Sequence, residues 1–465
     1  MVKDHLQLIK WYLSGSKHLK FIRIQKGFNL QAAGKPSLEL QRLEAPERVA
    51  LVPKHIRFIK PRIAVREGDS VKVGSLLFSE KHRPDLKFRS PGSGKVETVR
   101  FGPRRVLEAI VIRLDSKEGD ETFSSISEAT LDTMDTKDLV TRIQEGGLWA
   151  LIRELPFKNI PFYHGEPPGI IVTMGTQEPF EPEPSVYLRG REDLFQFGIR
   201  ALKRLAANVD VVLPSGNDAP DFLHKIATHT VSGKYPCGDA GVFLYRTKID
   251  LNKKRTWYIH GQDVLLLARL LRDGRYPMER TIVLAGPDVK HPCHVETRMG
   301  APLNHIAQFG TINGDHCFVV GGLFTGYPEP GDGYLSFHET AVAVLPNDKK
   351  AEILALFKPG YRKPTYSRAF LSRLNPAPMT VDGRYHGEER ACIGCGYCAD
   401  VCPVDILPQF AYKTIIINEM EEALKHGILD CVECGLCSHV CPSKIDLAQI
   451  LKTARADFYK EMVHR

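Results

Sequence analysis

The stretch "ACIGCGYCADVCPVDIL" (391–407) holds four cysteines within eleven residues and then a proline. Thirty-nine residues after Cys392 the pattern returns in "DCVECGLCSHVCPSKI" (430–445). Cys392, Cys395, Cys398 and Cys402 follow the spacing C-x2-C-x2-C-x3-C, closed by Pro403; Cys431, Cys434, Cys437 and Cys441 repeat it, closed by Pro442. Three thiolates at every third residue supply one face of a four-iron cubane, and in two-cluster proteins the fourth comes from the other run. That logic groups Cys392, Cys395 and Cys398 with Cys441, and Cys431, Cys434 and Cys437 with Cys402. Structural zinc also takes four thiolates, but its sites pair two CxxC knuckles across a loop. A doubled triple run with a trailing Cys-Pro favours two 4Fe-4S clusters. Gly394, Gly396 and Gly435, lying between ligands, let backbone N–H groups approach the sulfides. Helical patterns at 417–427 and 446–462 flank the second run, so residues 346–465 read as a helical two-cluster ferredoxin domain.

Upstream, the patterns change three times. Residues 21–115 read as all-β: "IAVREGDSVKVGSLLF" (63–78) alternates apolar and polar residues, and "SPGSGKVETV" (90–99) opens another strand with a turn. Together they suggest a barrel-sandwich hybrid, the swinging-arm carrier fold. Lys81 has no Met-Lys-Met around it, so the barrel reads as structural. Residues 116–255 alternate strand and helix: "GIIVTM" (169–174), a helix over 192–206 with Leu194, Phe197, Ala201, Leu202 and Leu205 on one face, "VDVVLP" (209–214), a helix over 218–229, and "GVFLY" (241–245) as a third strand. Such an order implies a Rossmann-like parallel sheet, with ligands at the strand carboxyl ends near Gly175 and Ser215-Gly216. Residues 256–345 carry the amphipathic run "GQDVLLLARLLRDG" (261–274) among strand-like runs at 280–286, 294–306 and 339–345, and suit a β-grasp domain. Residues 1–20 form an extension.

A chain of 465 residues is too long for one core. Lys plus Arg exceed Asp plus Glu by 63 − 55 = 8, an excess spread along the chain rather than gathered into a nucleic-acid-binding stripe. No apolar run reaches the ~20 residues that span a bilayer, and "MVKDHLQLIKWYL" (1–13) has no secretory pattern. These features predict a cytosolic chain. Trp11, Tyr12, Lys10, Lys17 and Lys20 could lie on a headgroup surface, against the plainer reading of a docking segment or tail. Eight of the eleven cysteines sit in the two runs; Cys237, Cys293 and Cys317 read as small buried hydrophobes.

In combination these features resemble a known family. The C-terminal region resembles the C subunit of Rnf-type ferredoxin:NAD oxidoreductases. The stretches "IRIQKGFNLQAAGKP" (22–36), "VREGDSVKVGSLLFSEK" (65–81), "GGLWALIRELPF" (146–157), "QDVLLLARLLRDGRYPMERTIVLAGPDVKHP" (262–292) and "TRMGAPLNHI" (297–306) resemble the A subunit of the Na+-translocating NADH:quinone oxidoreductase. The resemblance implies a peripheral electron-transfer subunit of a membrane-bound, ion-translocating complex, on the cytoplasmic face. Its partners would be integral membrane and flavin-bearing subunits, with ferredoxin or another soluble redox protein and quinone as further candidates. The Rnf relative carries a GGxGFPT loop that cradles FMN and NADH phosphates by backbone amides. Here only Gly146 and Gly147 remain, with Trp149 and Leu151 where the cradle would lie. A second family motif, K-Y-P-x-G, survives as Lys234, Tyr235, Pro236 and Gly238. The resemblance thus implies a vestigial nucleotide or flavin site at Gly146, Gly147, Lys234, Tyr235 and Gly238. Two further roles stay open: an FMN-dependent NADH-oxidising subunit, and a quinone-binding or scaffolding subunit with structural clusters.

Overall fold

The computed structural model describes residues 19–216, 218–247, 255–310, 314–347, 361, 371–382 and 389–464. The N-terminal surface segment suggested by Trp11 and Tyr12 lies outside them.

Seven antiparallel strands make two small sheets. One runs in the order Arg48–Leu51, Leu107–Leu114, Gly94–Phe101, Ser70–Val71, and the other Pro61–Ile63, Leu76–Glu80, Lys87–Arg89. Val49, Val71, Leu77, Phe78, Phe88 and Ile112 are all buried, filling the interior that the alternating pattern calls for. The strand Lys20–Arg23, by contrast, leaves the barrel and pairs in parallel with His229–Ser232. Leu40–Arg42 pairs with His294–Glu296. Strand pairing within the barrel runs from Arg48 to Leu114, and the segment before it threads through two other sheets.

With the barrel's pair taken together as the first, the second sheet has six strands in the order Lys20–Arg23, His229–Ser232, Val209–Pro214, Ile170–Thr173, Trp257–His260, Arg153–Glu154. All pairings are parallel except the last. Its central strands are buried on both faces, which is why they read as near-continuous apolar runs. Helices Glu192–Leu205 and Gly261–Asp273 cover one face, packed on each other. The sheet thus continues past the boundary expected at 255: Trp257–His260 is one of its strands, and the helix after it, ended by left-handed Gly274, lies on it. The run "GVFLY" is not a strand. Residues Ala240–Thr247 form a helix, and the third strand is His229–Ser232. Asp239 decides this, because its carboxylate accepts from the backbone N–H of Gly241 (2.8 Å) and Val242 (3.2 Å), capping the helix. A five-residue apolar run cannot tell buried strand from buried helix by periodicity.

A third, mixed sheet runs Tyr327–Glu329, His316–Val320, Ala341–Pro346, Glu279–Ala285, Cys293–Arg298, Leu40–Arg42. The expected strand run at 294–306 is only half strand, since Leu303–Gln308 is helical. The C-terminal part is helical as expected, with Pro408–Ile416, Met420–Lys425 and Leu447–His464 packed together.

Two apolar clusters bind these parts into one body. One joins barrel residues such as Phe78 and Phe88 to Trp149, Leu202 and Leu267 of the α/β part. The other joins the opposite face of the parallel sheet, at Ile171 and Val212, and Phe243 of the helix over it, to Val404, Ile406, Val432 and Leu451 of the C-terminal part. Between the second and third sheets sits a buried ion pair. Arg280 donates to Asp263 at 2.5 Å and to the Phe337 carbonyl at 2.9 Å, with side chains 1% and 3% exposed. Removing one partner of such a pair strands the other charge, at a cost of about 3–5 kcal/mol, whereas replacing both costs little. Arg280→Met should therefore lower the thermal midpoint strongly, and Arg280→Met combined with Asp263→Leu should recover most of the loss; calorimetry of the three proteins checks this.

Candidate metal centre and the adjoining cavity

The two cysteine runs fold alike. Each passes through a left-handed glycine, Gly396 (φ 80°) or Gly435 (φ 76°), into a short helix, Tyr397–Val401 or Leu436–His439, and then reaches its Cys-Pro. A side chain is disfavoured at such φ values. At Gly435 a Cβ would also lie 2.3 Å from the Phe324 carbonyl oxygen, so the third domain rests directly on this loop. None of the eight cysteines is in a disulfide. Cys398 and Cys402 from the first run and Cys431, Cys434 and Cys437 from the second line one small void, with Val404, Ile406 and Leu451 in the wall. Cys392, Cys398, Cys437 and Cys441 share a neighbouring apolar cluster with Leu436 and Val440. Among the described residues no three His, Cys, Asp or Glu side chains are set to hold a single metal ion. Five cysteines from two runs around one void exceed the four ligands of a single zinc ion and suit cages of iron and sulfide better.

The second loop is gripped from every side. Glu433, between Cys431 and Cys434, has a left-handed backbone (φ 57°) and a side chain 6% exposed. It accepts from Arg57 of the barrel (Nη1, 3.0 Å) and from Arg455 of the C-terminal helix (2.5 Å). Arg455, itself 1% exposed, also donates to the Pro156 carbonyl at 2.5 Å. Lys158 donates to the Val432 carbonyl (2.7 Å) and lies 3.7 Å from Asp239. Tyr235 donates its hydroxyl to the Cys434 carbonyl (2.9 Å) and stacks on Phe324. Burial alone would push the Glu433 carboxyl up, but the Arg57 hydrogen bonds and the charges of Arg57, Arg455 and Lys158 prevail and bring it down to about 2.

Beside this loop lies a cavity of about 280 Å3. Arg57 comes to it from the barrel, Arg153, Tyr235 and His260 from the α/β part, Glu339 from the third sheet, and Cys434 from the second cysteine loop. It opens at the carboxyl ends of Ile170–Thr173 and Trp257–His260, and Gly175 lines it as strand-end logic expects. Gly216 lines a separate groove, divided from the cavity by the loop carrying Glu178 and Glu181, which faces both.

Of the five expected nucleotide-site residues, only Tyr235 reaches the cavity wall. Gly238 sits where a Cβ would lie 1.9 Å from the Gly175 carbonyl oxygen, so its role is close packing. Lys234 is exposed. Gly146 and Gly147 do not line the cavity. Gly146 ends helix Thr136–Glu145 and faces Leu270, while Gly147 (φ 74°) packs on Arg89. The following Trp149 is fully buried, its indole N–H donating to the Pro161 carbonyl at 2.9 Å. The residues that spacing did not reveal are Arg57, Lys158, Arg455, Glu178 and Glu181, none of which sits in a local motif. A charged Glu433 between two cysteines was the one visible signal.

Residues 391–445 match a 4Fe-4S dicluster domain, which makes this an iron–sulfur protein with a multidomain α/β and β body. Residues 22–115 match the NqrA N-terminal barrel-sandwich hybrid domain, and residues 134–276 the NqrA second alpha/beta domain. The A subunit of the Na(+)-translocating NADH-quinone reductase of Alcanivorax borkumensis is 30% identical over 414 residues, covering 88% of this chain and 92% of that protein. Its counterpart from Marinomonas sp. is 30% identical over 411 residues, with the same coverage. The chain belongs to the family of these reductase A subunits. A solved NAD+-reducing [NiFe]-hydrogenase aligns over 50% of this chain and 52% of that chain at 13% identity and a TM-score of 0.32, too slight a likeness to carry an argument. Among the described residues no helix is long and apolar enough to cross a membrane.

The loop between the two cavities titrates near neutrality. Glu178 accepts from the Phe324 and Thr325 backbone N–H groups (2.8 and 2.9 Å), and Glu181 from those of Thr176 and Gln177 (2.7 and 3.0 Å). Burial nevertheless pushes both carboxyls up to about 7. A carboxyl whose folded pKa exceeds its unfolded value contributes stability that is full below the unfolded pKa and is lost as pH rises through the folded one. Several histidines, including His55 and His439 lowered to about 4 by burial, change stability in the opposite sense, so the difference from a variant is the clean readout. Relative to Glu178→Gln, the wild-type melting temperature should fall between pH 5 and pH 8.

Proposed function

We propose that this chain is a peripheral electron-transfer subunit of a membrane-bound, ion-translocating NADH:quinone oxidoreductase, seated on the cytoplasmic face beside integral membrane and flavin-bearing subunits. The observation that carries the reading is the void where Cys398 and Cys402 of the first run meet Cys431, Cys434 and Cys437 of the second; from the spacing we assign Cys402 with Cys431, Cys434 and Cys437 to one cluster. Cys392, Cys395 and Cys398 with Cys441 form the second set. When bound, two 4Fe-4S clusters supply one-electron acceptance and release. The chain's own residues do the rest. The cysteines present thiolates, Val404, Ile406 and Leu451 keep water out, and Glu433 with Arg57 and Arg455 holds the inner loop in place across three parts of the chain. We read the second sheet, with its five parallel strands, as Rossmann-like and the third as β-grasp.

A second reading, an FMN-dependent NADH-oxidising subunit, draws support from the cavity at the strand carboxyl ends, which shares Tyr235 and Cys434 with the cluster loop. The packing roles of Gly146 and Gly147 count against it, because no glycine cradle built from them faces the cavity. One experiment separates the two. The chain is purified anaerobically with its iron intact, and the cluster absorbance is followed first with NADH and then with dithionite. The relay reading expects no bleaching with NADH and full bleaching with dithionite; bleaching by NADH alone gives the function to the second reading. Cys402→Ser should lose about half of the bound iron while keeping the other cluster.

A further inference from the structure

The two cysteine sets sit in unequal electrostatic surroundings. Arg57, Arg455 and Lys158 converge on the loop 431–434, as described. The loop that delivers Cys402 is held the same way. Lys26 donates to the Ala399 carbonyl (3.2 Å) and pairs with Asp405 (2.9 Å). Arg246 pairs with Asp405 from the other side (2.9 Å) and donates to the Pro403 carbonyl. Every part of the chain before the cysteine runs except the third sheet thus sends a cation to these two loops, and the C-terminal helix adds one more. Set against them are Glu433, Asp239 and Asp405, so among the ion pairs described the cations outnumber the carboxylates five to three, while Asp430, next to Cys431, is exposed to solvent. The other set differs. Cys395 is exposed, and the charged residues on its fringe, Arg390, Asp400 and Lys444, are exposed to solvent; Cys398 is buried and reaches the inner void, but its polar contact is the neutral Gln409 amide (3.1 Å).

Taking an electron makes a cluster more negative. Burial opposes that step, whereas fixed cations favour it, and each acts more strongly away from water. A buried thiolate cage with no compensating charge would be the harder of the two to reduce.

Resting on the two-cluster reading above, we propose that Arg57, Lys158, Arg455, Lys26 and Arg246 make the inner site, Cys402 with Cys431, Cys434 and Cys437, the more easily reduced of the two. The first electron entering the chain then resides beside the interdomain cavity rather than at the exposed Cys395 end. The five cations are positioning residues: none is a ligand, and each acts through the field at the thiolates.

The test uses the full chain, purified anaerobically. Iron and acid-labile sulfide are measured first, because a chain that binds no clusters overturns the two-cluster reading and this inference with it. In loaded protein, dithionite supplies the electrons in a potentiometric titration followed by electron paramagnetic resonance. The wild type should titrate in two waves. Lys26→Gln, at a side chain 37% exposed and so of little weight in folding, should shift the higher wave to more negative potential and leave the lower one in place. Glu433→Gln should shift the same wave to more positive potential. Opposite directions from the two variants cannot come from loosened packing, which would move both alike. If Glu433→Gln fails to load iron, Asp405→Asn, at a side chain 36% exposed, replaces it, with a positive shift again expected. A single wave for both clusters, a shift confined to the lower wave, shifts of like sign from Lys26→Gln and Glu433→Gln, or unchanged midpoints would each overturn the proposal.

Discussion

The carboxylate of Glu433 is held between Arg57 and Arg455, and the rest of the molecule is arranged around that contact. Arg57 lies at the base of the barrel, Arg455 on the last helix, and Glu433 in the loop between two cysteines. Residues nearly four hundred positions apart therefore meet at one buried group. A charge this far from water is tolerable only with its partners in place. The contact thus demands that the barrel, the cysteine loop and the C-terminal helix be correctly docked together. Tyr235, Lys158 and Phe324 add hydrogen bonds and packing to the same loop from the remaining parts.

This arrangement ties the described parts of a multidomain chain together around its cysteines. Domain interfaces within a chain are commonly modest and polar, and relative motion is then the default. Here two apolar clusters cross the boundaries, one from barrel to α/β helices and one from the parallel sheet to the cysteine domain. The parallel sheet is the middle layer, buried by its own helices on one side and by the cysteine domain and Ala240–Thr247 on the other. The cavity at its strand ends is consequently a meeting point of four segments rather than a cleft within one domain.

What could be read from the sequence was what is local. The cysteine spacing, the two-faced apolar strands at 170–173 and 209–214, and the 3.6-residue periodicity of 192–205 are each carried by neighbouring residues. Elsewhere the deciding contact lay outside the segment itself. The run 241–245 is a helix because Asp239 caps it, and Gly146-Gly147 is a helix end packed on Leu270 and Arg89. The domain edge expected at 255 moves because a strand's sheet is set by its partners, and Trp257–His260 finds them at Ile170–Thr173. Arg57, Arg153, Lys158 and Arg455 belong to no motif, since only the folded chain brings them to one place.

The strand Lys20–Arg23 completes the parallel sheet beside His229–Ser232, some two hundred residues later in the chain. In a growing polypeptide that partner does not yet exist when the strand leaves the ribosome. At synthesis rates of about 5–20 residues per second the interval is on the order of ten to forty seconds. Leu40–Arg42 waits longer still, for a strand that begins at Cys293. The barrel between these two orphans and the α/β part can form from its own contacts, since its sheets pair only within Arg48–Leu114. For that interval the nascent protein carries a folded barrel with unpaired strand-forming segments on its leading end, including the apolar Phe21, Ile22 and Leu40. Unpaired edges of this kind are templates for wrong pairing. Synthesis of this chain therefore has a vulnerable stretch set by topology alone, ending only when the distant partner strands emerge.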